Sequence, residues 1–129
     1  MDTQARALSE LTSSAEQPVF VGQLASRLDF VLSAITVAEL SYGVRRSQHR
    51  EKNTKKLRIL REEYEALAFG DRAIETYGAV RADLSRRGVE IGPLDTLIGS
   101  HALSLDLMLV TGNVREFRRV KGLRCESWV

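Results

Sequence analysis

Four oxygen-bearing side chains follow predicted strands or open predicted helices, and together they could hold a metal ion: Glu39, Asp95, Asn113 and Glu116. In an open parallel sheet, sites form outside the carboxyl ends of the strands, where such side chains converge. Hard divalent cations such as Mg²⁺ take a few carboxylate oxygens and keep part of their hydration shell. A cation held in this way can activate water for attack on a phosphate. The set therefore indicates metal-dependent hydrolysis of a phosphate ester.

Each of the four residues also has a structural explanation. Glu39 fits a helix capping box that Thr36 would open. Asp95 would interact favourably with a helix N-terminus, and Asn113 follows a glycine as turn residues do. Glu116 could pair with neighbouring arginines. The residues by themselves leave both interpretations open.

Short apolar runs alternate with helical patterns along most of the chain. Residues 30–33 and 107–111 read as buried strands, and weaker strand patterns cover 67–69 and 123–128. Helical spacing of apolar residues predicts helices over 36–46, 51–65, 71–87 and 93–102, with a short segment that ends at 117. Strands that alternate with helices favour an α/β sandwich with a mostly parallel sheet.

The first 29 residues fit this alternation poorly. Helix-like spacing covers 5–11 and 21–28, and no opening strand is evident. We therefore expect residues 1–29 to form an atypical N-terminal segment of a single domain that spans 1–129.

The composition excludes several classes of protein. With 43% hydrophobic and 28% charged residues among 129, the chain can bury a core. No apolar run approaches the roughly 18–20 residues of a membrane span, and no secretory signal is evident. The single cysteine, Cys125, excludes an intrachain disulfide, and His49 and His101 read as structural or surface residues. A cytoplasmic protein without membrane contact is the expectation.

Positive charge is concentrated rather than large. The chain has 19 Lys and Arg against 17 Asp and Glu, yet residues 45–61 hold eight basic residues and one acid, Glu51. A second basic run covers 115–124. Such clusters attract phosphate backbones, although a solvated helix face explains them equally well.

Three segments resemble the VapC toxins, the PIN-domain ribonucleases of bacterial type II toxin–antitoxin pairs. They are Ser33-Ala-Ile-Thr-Val-Ala-Glu39-Leu-Ser-Tyr-Gly43, Ile91-Gly-Pro-Leu-Asp95-Thr-Leu-Ile-Gly-Ser-His-Ala102 and Leu109-Val-Thr-Gly-Asn113-Val-Arg-Glu116-Phe117. The resemblance runs from about residue 30 to residue 128, with the motifs in the family's order.

This resemblance implies a three-layer α/β/α PIN fold that binds Mg²⁺ or Mn²⁺ and cleaves RNA. Glu39 and Asp95 match two acidic metal positions, and Asn113 and Glu116 match the last motif. It also implies an RNA substrate, a VapB-like antitoxin and a homodimer. The RNA-binding residues expected from the basic runs are Arg45, Lys52, Lys55, Lys56 and Arg115.

The front of the chain departs from the family. VapC toxins open with a central hydrophobic strand that leads into Asp-Thr-Asn, whose Asp binds metal. Here Asp2-Thr3-Gln4 follows Met1 directly, so Asp2 matches the ligand and the strand before it is short or missing. Either the chain is cut short at its start, or a segment such as Pro18 to Val21 fills the gap.

Two other functions compete with the ribonuclease. A catalytically impaired PIN-like module would bind antitoxin or RNA through its basic face without turnover. A small basic DNA-binding regulator has less support, because no helix-turn-helix pair with a short glycine turn is evident.

Overall fold

The computed structural model describes residues 18–24 and 27–127, in which five helices surround one five-stranded sheet. The strands are β1 (Val19–Leu24), β2 (Arg27–Ser33), β3 (Ala66–Leu67), β4 (Met108–Val110) and β5 (Cys125–Glu126). The helices are α1 (Ala34–Arg46), α2 (Arg50–Glu63), α3 (Asp71–Arg87), α4 (Pro93–Ser104) and α5 (Val114–Phe117). None of these helices has the length and apolar character that a bilayer crossing requires.

The sheet has the strand order β3-β2-β1-β4-β5. β2 pairs with β3 in parallel, β4 pairs with β5 in parallel, and β1 runs antiparallel to both β2 and β4. Four strands therefore share one direction and β1 alone is reversed, which confirms the mostly parallel sheet. The carboxyl ends of the four parallel strands lie at one edge, which we call the carboxyl edge.

Strand β1 occupies the centre of the sheet. Val19 and Phe20 are both fully buried, because the two faces of a central strand are both covered. Residues 19–21 of the segment 18–21, which was one of the two alternatives expected for the missing strand, lie in this central strand. The helix expected over 21–28 is wrong, because residues 21–24 lie in β1 and residues 27 and 28 lie in β2, and strand pairing overrides their helical spacing.

Helices cover both faces of the sheet, as expected for a three-layer α/β/α sandwich. On one face, Val19 and Leu32 pack against the buried residues Val37, Leu40, Leu60 and Tyr64 of α1, α2 and the residue after α2. On the other face, Phe20, Val31 and Leu109 pack against Ile98, Ala102 and Phe117 of α4 and α5. The PIN-like fold class is therefore confirmed.

Helix α1 begins earlier than its capping-box pattern predicts. Ser33 is the N-cap residue, and its hydroxyl accepts a hydrogen bond from the Ile35 N–H at 3.1 Å. Thr36 lies inside the helix and donates to the Pro18 carbonyl at 3.4 Å. The capping box predicted at Thr36 is therefore wrong, and helix capping no longer explains why Glu39 is an acid.

Candidate functional site

Two carboxylates meet where α4 begins and α5 follows β4. Asp95 lies in the first turn of α4, a helix that begins at Pro93, a residue suited to a first helical position because its missing N–H has no partner there. Glu116 lies in α5, and three residues separate the start of α5 from the end of β4 at Val110. The two carboxylates lie side by side, since Asp95 Oδ2 and Glu116 Oε1 are both 3.9 Å from the position that a Cβ on Gly92 would take, and each shifts the pKa of the other. The carboxyl edge thus brings together two acids that are distant in the sequence.

Backbone and amide donors fix the position of Glu116. The Gly92 N–H, at the N-cap of α4, donates to Glu116 Oε1 at 2.9 Å. The Asn113 side-chain amide donates to the other oxygen, Oε2. These donors, with the Gly92 N–H foremost, lower the pKa of Glu116 below its ordinary value. Glu116 is therefore an oriented, ionised acceptor, and Asn113 positions it.

Asp95 is the member of the pair that holds a proton up to about pH 6. Burial, followed by the hydrogen bond to Glu116 and the negative charge of Glu116, raises the pKa of Asp95 to about 6. Two carboxylates in contact cannot both ionise without cost, so the pair needs either a proton or a cation between them. Above pH 6 the proton leaves and the need for a cation increases.

The donor set fits a hard divalent cation. Asp95 and Glu116 supply carboxylate oxygens, and Mg²⁺ is commonly held by one or two carboxylates together with water and substrate phosphate. Within 18–24 and 27–127, no group of three His, Cys, Asp or Glu side chains converges closely enough to hold a metal. Further ligands would therefore be water, the phosphate, a residue outside this range, or Glu39 acting through a bound water.

The other predicted site residues lie apart from this pair. Glu39 is half-buried on α1, which packs against α4, and it makes no hydrogen bond or ion pair with any described residue. Asp2 lies outside the described residues. The predicted RNA-binding residues are all exposed: Arg45, Lys52, Lys55, Lys56 and Arg115.

A buried polar pair connects α1 to α4 beneath the carboxyl edge. His101 is 1% exposed, and its Nδ1 lies 2.8 Å from the Ser33 hydroxyl. The rings of Phe20 and Phe69 meet it edge-on at 5.3 and 5.2 Å. Burial lowers the pKa of His101, so the ring is neutral near pH 7. This supports the structural role predicted for His101.

Sequence reasoning missed the part played by Gly92. The sequence pattern predicts a helix from residue 93 but gives Gly92 no further role, whereas the Gly92 N–H holds Glu116. The available signal was the helix start itself, since the first N–H groups of a helix lack partners within the helix and attract carboxylates.

Binding of Mn²⁺ should weaken as the pH falls below about 6, because the proton on Asp95, whose pKa is about 6, competes with the cation. From pH 7 to pH 5 we expect the apparent affinity to fall about tenfold, which calorimetric titration at several pH values would measure. The Asp95→Asn variant should show a much flatter profile. Equal affinity of the wild type at pH 5 and pH 8 would contradict this picture of the pair.

Comparison with known proteins places the chain in a family. Residues 5–123 match the PIN domain family. The chain is 39% identical over 105 residues to ribonuclease VapC2 of Rickettsia felis, which covers 81% of this chain and 78% of the relative. It is 40% identical over 97 residues to the tRNA(fMet)-specific endonuclease VapC of Shigella flexneri, and the match covers 75% of this chain and 74% of that relative.

Solved structures agree with the sequence relatives. A DNA-bound VapBC complex from Salmonella typhimurium superimposes with a TM-score of 0.77 at 32% identity, covering 99% of this chain and 86% of that chain. The similarity includes all the elements that carry the Asp95–Glu116 pair. The chain therefore belongs to the PIN-domain family and, within it, to the VapC ribonucleases.

Proposed function

We propose that this chain is a metal-dependent endoribonuclease toxin of a VapBC-type pair that hydrolyses RNA phosphodiester bonds. The observation that carries the proposal is the pairing of Asp95 with Glu116 at the carboxyl edge. A pair of adjacent acids with one raised pKa is an arrangement that a functional site accounts for better than folding does. The VapC identity of relatives at about 40% supports the same reaction.

Asp95 and Glu116 would hold Mg²⁺ or Mn²⁺ through their carboxylate oxygens. When bound, such a cation polarises a phosphate oxygen and lowers the pKa of a coordinated water. The Gly92 N–H and the Asn113 amide keep Glu116 in its orientation before and after the ion arrives. Both carboxylates would be ionised with the ion bound, so any proton still on Asp95 would pass to solvent.

Asp2 and Glu39 complete the proposed site. Strand β1 begins beside the end of β4, since Val19 pairs with Val110. Pro18, the residue before β1, therefore lies at the carboxyl edge. Fifteen residues lie between Asp2 and Pro18, and a chain of that length can reach across a site of this size, at about 3.3 Å per extended residue. Glu39 lies on α1, whose start follows the end of β2 at the same edge.

The substrate we propose is RNA, bound through the exposed cations Arg45, Lys52, Lys55, Lys56 and Arg115. Their charges would neutralise phosphates and make binding dependent on salt. A tRNA is the first substrate to test, because two relatives at 39–40% identity are named tRNA(fMet)-specific endonucleases. Acting on RNA, the protein would work in the cytoplasm.

The partners we propose are a VapB-like antitoxin and a second copy of the chain. Support comes from the structural neighbours, several of which are VapBC complexes. An antitoxin segment that reaches the carboxyl edge would block access of RNA to the acids, so inhibition would follow from occupancy alone.

The proposal is tested by incubating the purified chain with end-labelled tRNA in millimolar Mn²⁺. We expect discrete fragments that EDTA abolishes. Glu116→Gln should slow cleavage at least about 10³-fold, since several kcal/mol of transition-state stabilisation depend on the ion. Asp2→Asn and Glu39→Gln should also slow it. Asp71→Asn, a change at an exposed carboxylate in the first turn of α3, is the matched control.

Cleavage that survives EDTA would contradict the assignment, as would cleavage by Glu116→Gln at the wild-type rate. Binding of RNA without cleavage at any Mg²⁺ or Mn²⁺ concentration would point instead to a module without turnover.

A further inference from the structure

Tyr42 is an aromatic residue that the core does not use. Its side chain is 59% exposed, and it is the one aromatic among the large exposed hydrophobic residues of 18–24 and 27–127. Val37 and Leu40 already bury the inner face of α1. The Tyr42 ring is therefore available to a partner.

A neighbouring cation lies over the ring. The guanidinium carbon of Arg46 lies 5.6 Å from the centroid of the Tyr42 ring, within cation–π range. The next residue, Gly43, also has open space around it, because a Cβ added there would meet nothing within 4 Å. Arg46 therefore restrains a ring that has open space beside it.

The surroundings of Tyr42 favour nucleic acid over protein. Its exposed neighbours on α1 are small or cationic: Ala38, Ser41, Gly43, Arg45 and Arg46. A protein partner generally requires a wider apolar area than one ring provides. Single-stranded nucleic acid is bound differently, by aromatic rings that stack bases and by cations that contact the backbone. Tyr42 with its two arginines has this composition.

Tyr42 also lies close to a proposed site residue. It follows Glu39 by three positions, so the two share one face of α1 and are about 4.5 Å apart along the helix axis. A base stacked on Tyr42 would thus lie on the part of the strand that passes Glu39, an acid of the proposed site.

We propose that Tyr42 stacks on a base of the bound RNA beside the cleavage point, with Arg46 holding the ring and contacting the backbone. This inference rests on the proposed function, because it assumes that RNA is the substrate. Tyr42 would then set the register of the RNA strand, since stacking determines which phosphate reaches Asp95 and Glu116.

The test measures binding of short single-stranded RNA by fluorescence anisotropy in the Asp95→Asn background, in which RNA should stay intact. Tyr42→Ala should weaken binding about tenfold, within the range measured for base–aromatic stacking. Tyr42→Phe, which keeps the ring, should bind within about twofold of the parent. Tyr42→Leu, which keeps apolar area without the ring, should resemble the alanine variant.

A matched control exists on α3. Tyr77 and Arg81 have the same spacing as Tyr42 and Arg46, and the Tyr77 hydroxyl accepts a hydrogen bond from Arg81 at 2.9 Å. Tyr77→Ala should leave RNA affinity unchanged.

A scan of abasic positions in the RNA adds a measurement that a purely structural role of Tyr42 would not affect. An abasic site at one position of the RNA should lower the affinity of the parent about tenfold, and the same abasic site should not lower the affinity of Tyr42→Ala any further.

Three results would overturn the inference: parental affinity in Tyr42→Ala, no RNA binding by the parent, or a change of oligomeric state in Tyr42→Ala that accounts for its loss of affinity. Failure of the proposed function is distinguishable from these. If wild-type protein binds RNA through Tyr42 yet cuts none, the stacking role stands and the ribonuclease assignment fails.

Discussion

The Asp95→Asn variant should unfold at a higher temperature than the wild type when no metal is present. In the wild type, ionising Asp95 against Glu116 costs free energy at neutral pH, since burial and Glu116 raise the pKa of Asp95 to about 6. Asparagine removes that charge, and its amide can still donate to Glu116. After allowance for solvent screening we expect the free energy of unfolding to rise by about 1–2 kcal/mol and the melting temperature to rise by roughly 3–10 °C.

The sign of the effect depends on pH in a definite way. An acid whose folded pKa is raised binds its proton more tightly in the folded state. Its destabilising effect is therefore absent below about pH 4 and complete above about pH 6. The difference between Asp95→Asn and wild type should vanish on acidification. Thermal unfolding in EDTA at pH 4, 6 and 8 measures this, with Asp71→Asn as control. A variant that is less stable at pH 8 would contradict the account.

The Phe20→Ala variant should lose most of the stability of the domain. Phe20 is fully buried in β1 and packs between the sheet and the α4–α5 layer, against Ile98, Leu109 and Phe117. Removing a buried phenylalanine typically costs about 3–5 kcal/mol, because the cavity that remains does not collapse. The whole free energy of unfolding of a small domain is only about 5–15 kcal/mol. Urea unfolding measures the loss.

A milder variant keeps this prediction measurable if alanine prevents folding. Phe20→Leu should cost about 1–2 kcal/mol. Ile59→Ala is the surface control, because Ile59 is 52% exposed on α2 and should change stability by less than about 0.5 kcal/mol. If Phe20→Ala costs as little as the control, then β1 does not occupy the centre of the sheet.

Sequence patterns predicted the parts of the fold that local rules determine. Gly88 ends α3 with φ at 69°, as its position after an apolar helical stripe indicates. The helix that begins at Pro93 and the buried strand that ends at Val110 also lie where periodicity places them. These two elements carry Asp95 and precede Glu116, so the carboxyl edge was predictable as the place for chemistry.

Long-range pairing decided the parts that local patterns missed. Nothing in Val19-Phe20-Val21 alone indicates a reversed central strand, because its role depends on partners ten residues later in β2 and ninety residues later in β4. The start of α1 was misplaced because Ser33 and Thr36 are both good caps, and the hydrogen bond from Ile35 to Ser33 decides between them. The start of α4 indicates that the Gly92 N–H is free to bind an acceptor, but local patterns do not identify Glu116, 24 residues later, as that acceptor.

The most direct test of the central claim compares RNA cleavage by the wild type and by Asp95→Asn in saturating Mn²⁺. The claim is that Asp95 and Glu116 hold the cation on which hydrolysis depends. We predict metal-dependent cleavage by the wild type and a loss of at least about 10³-fold in Asp95→Asn, although that variant is the more stable protein. Cleavage by Asp95→Asn at a rate near that of the wild type would contradict the claim.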